Sequence, residues 1–149
     1  MSFLQKNNCY VPFGREQDKV DFLFPKNRIS NDPKEEAASQ LFNHAYFFGD
    51  FLDLIVNIMK NYDSYAHEYT SANYPDWNDP SSKYHFEEGM IRIDNCDDEG
   101  DWVDITERQF FRYAKEACLR FIELHPEHRD FVMNIVDNWK PKYPDKFPD

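Results

Sequence analysis

The chain has 149 residues and a mass of 18.0 kDa, the size of one domain, because single cores reach about 100 to 150 residues before chains divide. Seventeen Lys and Arg against 28 Asp and Glu leave a net charge of −11, which repels phosphate backbones and anionic lipid and argues against direct nucleic-acid or membrane binding. Its 14 Phe, 9 Tyr and 3 Trp exclude a disordered acidic chain, and the cysteines Cys9, Cys96 and Cys118 have the spacing of neither a disulfide framework nor a zinc knuckle.

In chain order, residues 1–25 read as an N-terminal segment: an extended piece around Cys9 to Phe13, then a helix-like run from Arg15 to Phe24 that Pro25 stops. After a polar stretch, Asp32 can cap a helix with Pro33 in its first turn and Glu35 three residues after the cap. Ala38, Leu41, Ala45, Phe48, Leu52, Ile55 and Met59 keep one stripe at steps of three and four, so a long helix is expected over 33–60, with Gly49 as a point of weakness. Residues 61–83 lose this period and read as an aromatic loop punctuated by Pro75 and Pro80, its rings covering the edge of the core.

Residues 85–105 read as a hairpin, with Phe86, Met90, Ile91 and Ile93 on one strand and Trp102, Val103 and Ile105 on its partner. Thr106 to Gln109 has the form of a capping box, and Phe110, Tyr113, Ala114, Ala117, Cys118, Phe121 and Ile122 follow at helical spacing. A short last helix with Phe131, Val132, Ile135 and Val136 inward completes the C-terminal helices over 106–139. Pro141, Pro144 and Pro148 leave 140–149 as an extended tail. The architecture predicted is one α+β domain over 1–149, mostly helical, with a small antiparallel β-hairpin packed on helices. The longest uncharged apolar stretch, Leu54 to Met59, is far short of the roughly 20 residues that span a bilayer. Met1 to Tyr10 lacks the basic start and apolar run of a leader, so a cytoplasmic, unprocessed protein is expected.

Chemistry has little purchase on this sequence. His125 and His128 flank Pro126 without a third ligand, His67-Glu68 lacks the second His of a zinc-protease helix, and there is neither a G-x-S-x-G elbow nor a Gly-rich phosphate loop. Cys118 falls on the apolar face of its helix, where a buried inert thiol is expected. No enzyme activity, metal or cofactor is therefore expected.

The charge is concentrated in one place. Between Glu87 and Glu107 nine acids face Arg92 alone, so this segment carries −8 of the total. A solvated turn needs only one Asp or Asn beside Gly100, whereas the acids from Asp94 to Asp101 repel one another. The run lacks the alternating ligands, sixth-position Gly and closing Glu of an EF-hand, so a basic partner is the better account of it than calcium.

Two stretches resemble a known family. They are Val11-Pro12-Phe13-Gly14-Arg15-Glu16 and the block from Phe86 to Asp130, which runs from Phe86-Glu87-Glu88-Gly89-Met90 through the acidic turn and Ile105-Thr106-Glu107-Arg108-Gln109-Phe110-Phe111-Arg112-Tyr113 to Leu124-His125-Pro126-Glu127. Together, over roughly a third of the chain, they resemble the acidic immunity proteins of bacterial contact-dependent growth inhibition systems, of the type that neutralises ribonuclease toxins. The resemblance implies a 1:1 complex with a basic nuclease toxin domain. The expected partner-binding residues are Asp94, Asp97, Asp98, Glu99, Asp101, Trp102 and Asp104, with Trp102 the aromatic anchor and Trp77 a second candidate. An acidic adaptor or nucleic-acid mimic that binds another basic nucleic-acid-handling protein would use the same carboxylates.

Overall fold

Helix α1, Pro33–Phe47, starts where Asp32 adopts an extended backbone and its carboxylate accepts the Lys34 N–H at 2.9 Å, with Pro33, Glu35 and Glu36 in the first turn. The computed structural model describes residues 23–24, 32–68, 70–76, 78–95 and 102–147. The N-terminal segment read over 1–25 lies outside these except for Leu23 and Phe24, which are buried.

The single helix expected over 33–60 is divided at Gly49. Its φ of 78° ends α1 in a Schellman motif, the Gly49 N–H bonding the Tyr46 carbonyl at 3.1 Å and the Asp50 N–H the Ala45 carbonyl at 2.7 Å. A Cβ at position 49 would meet nothing within 4 Å, so it is the backbone conformation that favours glycine there. Helix α2, Phe51–Ile55, resumes and widens into a π-helical turn, Val56–Lys60, in which the Asn61 N–H reaches the Val56 carbonyl at 3.0 Å. The buried stripe survives the break through Leu41, Phe42, Ala45, Phe51, Leu54, Ile55, Ile58 and Met59.

The aromatic stretch 61–83, read as loop, contains two strands. β1 is Tyr65–His67 and β2 is Thr70–Asn73; with β3, Met90–Asp94, and β4, Trp102–Thr106, they form a four-stranded antiparallel sheet in sequence order. The fold is α+β as expected, and the predicted hairpin is half of its sheet. β1 and β2 are three and four residues long and rich in Ala, Ser and Asn, which leaves little strand signal. Glu68, between them, takes φ 49°, a turn conformation usually marked in sequence by Gly or Asn. Tyr65 and Tyr74 are buried, so rings from this stretch join the core. β3 starts at Met90, later than the predicted His85.

Register assigns the two faces of the sheet. Tyr65, Ala72, Ile93 and Val103 lie in line, with Ile91 beside Ile105, on the face toward the helices; Ser71, Asp94 and Trp102, and Asn73, Arg92 and Asp104, line the other. Helix α3, Glu107–Leu124, is entered through the predicted capping box, with 3.0 Å bonds in both directions between Thr106 and Gln109. It buries Phe110, Ala114, Ala117, Cys118, Phe121 and Ile122, whereas Tyr113, expected inward, is only half-buried. Burial pushes the Cys118 thiol up to about 12, so the thiol is inert at neutral pH.

After a 3₁₀ turn, Pro126–His128, helix α4, Arg129–Asn138, turns Val132, Ile135 and Val136 inward. Phe131, expected beside them, is 47% exposed. Residues 140–147 form no helix or strand but are fastened down: the Glu107 carboxylate accepts the Lys142 and Tyr143 N–H groups at 2.7 and 3.0 Å, and the Tyr62 hydroxyl donates to the Lys140 carbonyl at 2.7 Å.

The α1–α2 break holds a titratable pair. His44 is buried, its Nε2 is 3.2 Å from His67 Nδ1, and Tyr65 donates to Asp50 at 3.3 Å. Burial first, then the neighbouring His67, lower the His44 pKa to about 4, with Asp50 opposing. A base whose pKa is depressed on folding is neutral in both states above about 6.5, so its full share of stability is present there. As pH falls the unfolded chain takes up the proton first, and that share, on the order of 3 kcal/mol, is lost by about pH 4. His44→Gln is expected to flatten the fall of the urea midpoint between those two pH values; a curve parallel to the parent's would mean His44 does not supply it.

Candidate partner-binding surface

The face of the sheet turned away from the helices carries the chemistry the sequence singled out. Alternation along β4 points Trp102 and Asp104 to that face and Val103 and Ile105 to the core. Loop residues 74–76 and 78–89 return across it, closed by an Asp76 N–H to Tyr84 carbonyl bond of 2.7 Å, and bring Lys83 and Phe86 over β3.

Charges on this face meet partners within the chain. The Arg92 guanidinium donates to both Asp104 carboxylate oxygens, Nε at 2.7 Å and Nη2 at 2.9 Å, and Nη1 donates to the Lys83 carbonyl. Two aromatic rings lie against it, Phe86 at 4.3 Å and Trp102 at 4.5 Å from the guanidinium carbon. Asp94 is only 4% exposed and pairs with Lys83 Nζ at 3.2 Å.

Asn95, the first residue after β3, accepts from the Thr70 hydroxyl and donates to the Ala37 carbonyl at 3.1 Å, tying the base of the acidic turn to α1. Of the expected site residues, Asp94, Trp102 and Asp104 are thus brought together around Arg92. Asp97, Asp98, Glu99 and Asp101, and the second aromatic candidate Trp77, lie outside the described residues.

Glu107, counted in the acidic segment, is buried against the 142–143 backbone, whereas Glu87 is exposed. Arg92, Lys83 and Phe86 are further parts of this surface, beyond the residues expected from the sequence. Arg92 could have been found: once β3 and β4 are paired, its cross-strand partner is an acid. Lys83 and Phe86 reach the face through loop geometry that has no period to read. No group of three or more His, Cys, Asp or Glu among the described residues is placed to hold a metal, and no described helix is long and apolar enough to cross a membrane.

Fold and surface together describe a small α+β protein with its acids gathered in the hairpin region at one edge of the sheet. The family model described as CDI immunity protein matches residues 32–136, from the α1 cap through all four strands and into α4, and the chain belongs to that family. Its function is immunity to a cognate toxin in a contact-dependent growth inhibition system. No curated protein matches the chain in a sequence comparison.

Proposed function

We propose that this immunity protein acts in the cytoplasm on a ribonuclease toxin, covering the toxin's basic RNA-binding surface in a 1:1 complex. The acidic turn between β3 and β4, with Asp97, Asp98, Glu99 and Asp101, is the charged centre of contact. Trp102 is its aromatic anchor, and Asp94 and Asp104 support it from within their own ion pairs. The observation that carries this reading is the segregation of charge: residues 87–107 hold −8 of the −11. Arg92 and Lys83, bases described on this face, are matched to Asp104 and Asp94 within the chain.

A nuclease must offer Lys and Arg to phosphate, and a concentrated carboxylate surface attracts those groups. Steering of this kind raises association to about 10⁸ M⁻¹s⁻¹ or more and is screened over about 8 Å at physiological salt. Stopped-flow mixing with the cognate toxin domain is therefore expected to show an association rate constant that falls steeply with salt, while dissociation changes little. An association rate indifferent to salt would overturn the charge-led mechanism.

A further inference from the structure

We infer that Arg92 is the positioning residue of the toxin-binding surface: it holds Trp102 and the crossing loop in the form the toxin meets, its own charge being answered by Asp104. This rests on the reading above that the surface binds toxin. Arg92 is 9% exposed, at the middle of β3, and three of its guanidinium nitrogens have a partner: Asp104 takes two and the Lys83 carbonyl the third. The same flat group supports the rings of Phe86 and Trp102.

Each contact removes a freedom that binding would otherwise have to freeze. Trp102 sits on an edge strand and is half-buried, and contact with the guanidinium restricts its ring before any partner arrives. The Lys83 carbonyl pins the crossing loop, from which the Lys83 ammonium reaches Asp94 at the end of β3. A surface ordered in advance loses less on association and releases its partner more slowly. Only a planar fork can take a bidentate carboxylate, a carbonyl and two rings at once; a lysine ammonium supplies the charge but not the plane. Because Asp104 answers that charge, the long-range field of the turn does not depend on the fork.

Arg92→Lys separates the two contributions. With the cognate toxin domain as probe, the association rate constant and its salt dependence are expected to stay within about twofold of the parent's, because net charge is conserved. Dissociation is expected to be about tenfold faster or more. Loss of stability alone would lower the fraction able to bind, and so the amplitude, without accelerating release by the folded complex. If Arg92→Lys does not fold, Phe86→Leu carries the same expectation, since Phe86 is buried and acts through Arg92.

Parent-like dissociation in whichever of these variants folds would overturn the positioning role. A chain with the turn's acids neutralised, measured alongside, separates the two ideas. If neutralisation slows association but Arg92→Lys dissociates like the parent, positioning alone falls. If neutralisation leaves toxin binding unchanged, the surface reading falls and positioning falls with it.

Discussion

Phe42→Ala is expected to lower the free energy of unfolding by about 3 to 5 kcal/mol. Phe42 is fully buried on α1, and its ring lies 6.0 Å from Phe24, 6.3 Å from Phe51 and 5.5 Å from Phe110, centroid to centroid. Those neighbours come from the N-terminal segment, α2 and α3, so no single element can move to fill the space. Against a total stability of about 5 to 15 kcal/mol, the loss is large enough to populate the unfolded chain at moderate temperature. Urea unfolding of parent and variant, with equal m-values, measures it; a loss under about 1 kcal/mol would show that the site collapses, and that the four rings do not form a rigid centre.

Neutralising the acidic turn is expected to have the opposite profile. Replacing Asp97, Asp98 and Asp101 by Asn and Glu99 by Gln removes four negative charges without opening a cavity. The melting temperature should therefore hold or rise as like-charge repulsion is relieved. Association with the toxin should slow by about tenfold or more, the lower range of what steering contributes. Calorimetry and stopped-flow mixing on the same protein decide it: early melting with normal binding by the folded fraction would make the turn a structural element.

The elements with a strong period were legible in the sequence. α3 shows its capping box and its buried stripe directly, and the pairing of β3 with β4 follows from Ile91, Ile93, Val103 and Ile105. The break between α1 and α2 was half visible, because Gly49 marks the place while the stripe of buried residues runs through it and favours one helix. β1 and β2 were hidden because three- and four-residue strands carry too few positions to express alternation. Phe131 shows the limit of periodicity in a helix of 10 residues, where one position at the edge of the stripe can face either way.

In the candidate site, counting acids located the segment but not the state of each carboxylate. Asp94 and Asp104 read in sequence as two more acids of the run, yet the fold supplies each of them with a cation. The outward direction of Trp102 was legible from strand alternation; its contact with Arg92 was not. That contact means Trp102→Ala would lower stability as well as toxin affinity, whereas a purely outward anchor would affect affinity alone.

Glu107 ties the start of α3 to a segment far along the chain. It is 2% exposed, opens α3, and finds its backbone donors 35 and 36 residues further on, at Lys142 and Tyr143, with the Tyr74 hydroxyl 3.4 Å away on the other side. A carboxylate is costly to bury until it is paired. The first turn of α3 is therefore seated through Tyr74 on one side and the 142–143 backbone on the other. A chain cut before Lys142 would keep the helical stripe of α3 but leave Glu107 without its two backbone donors.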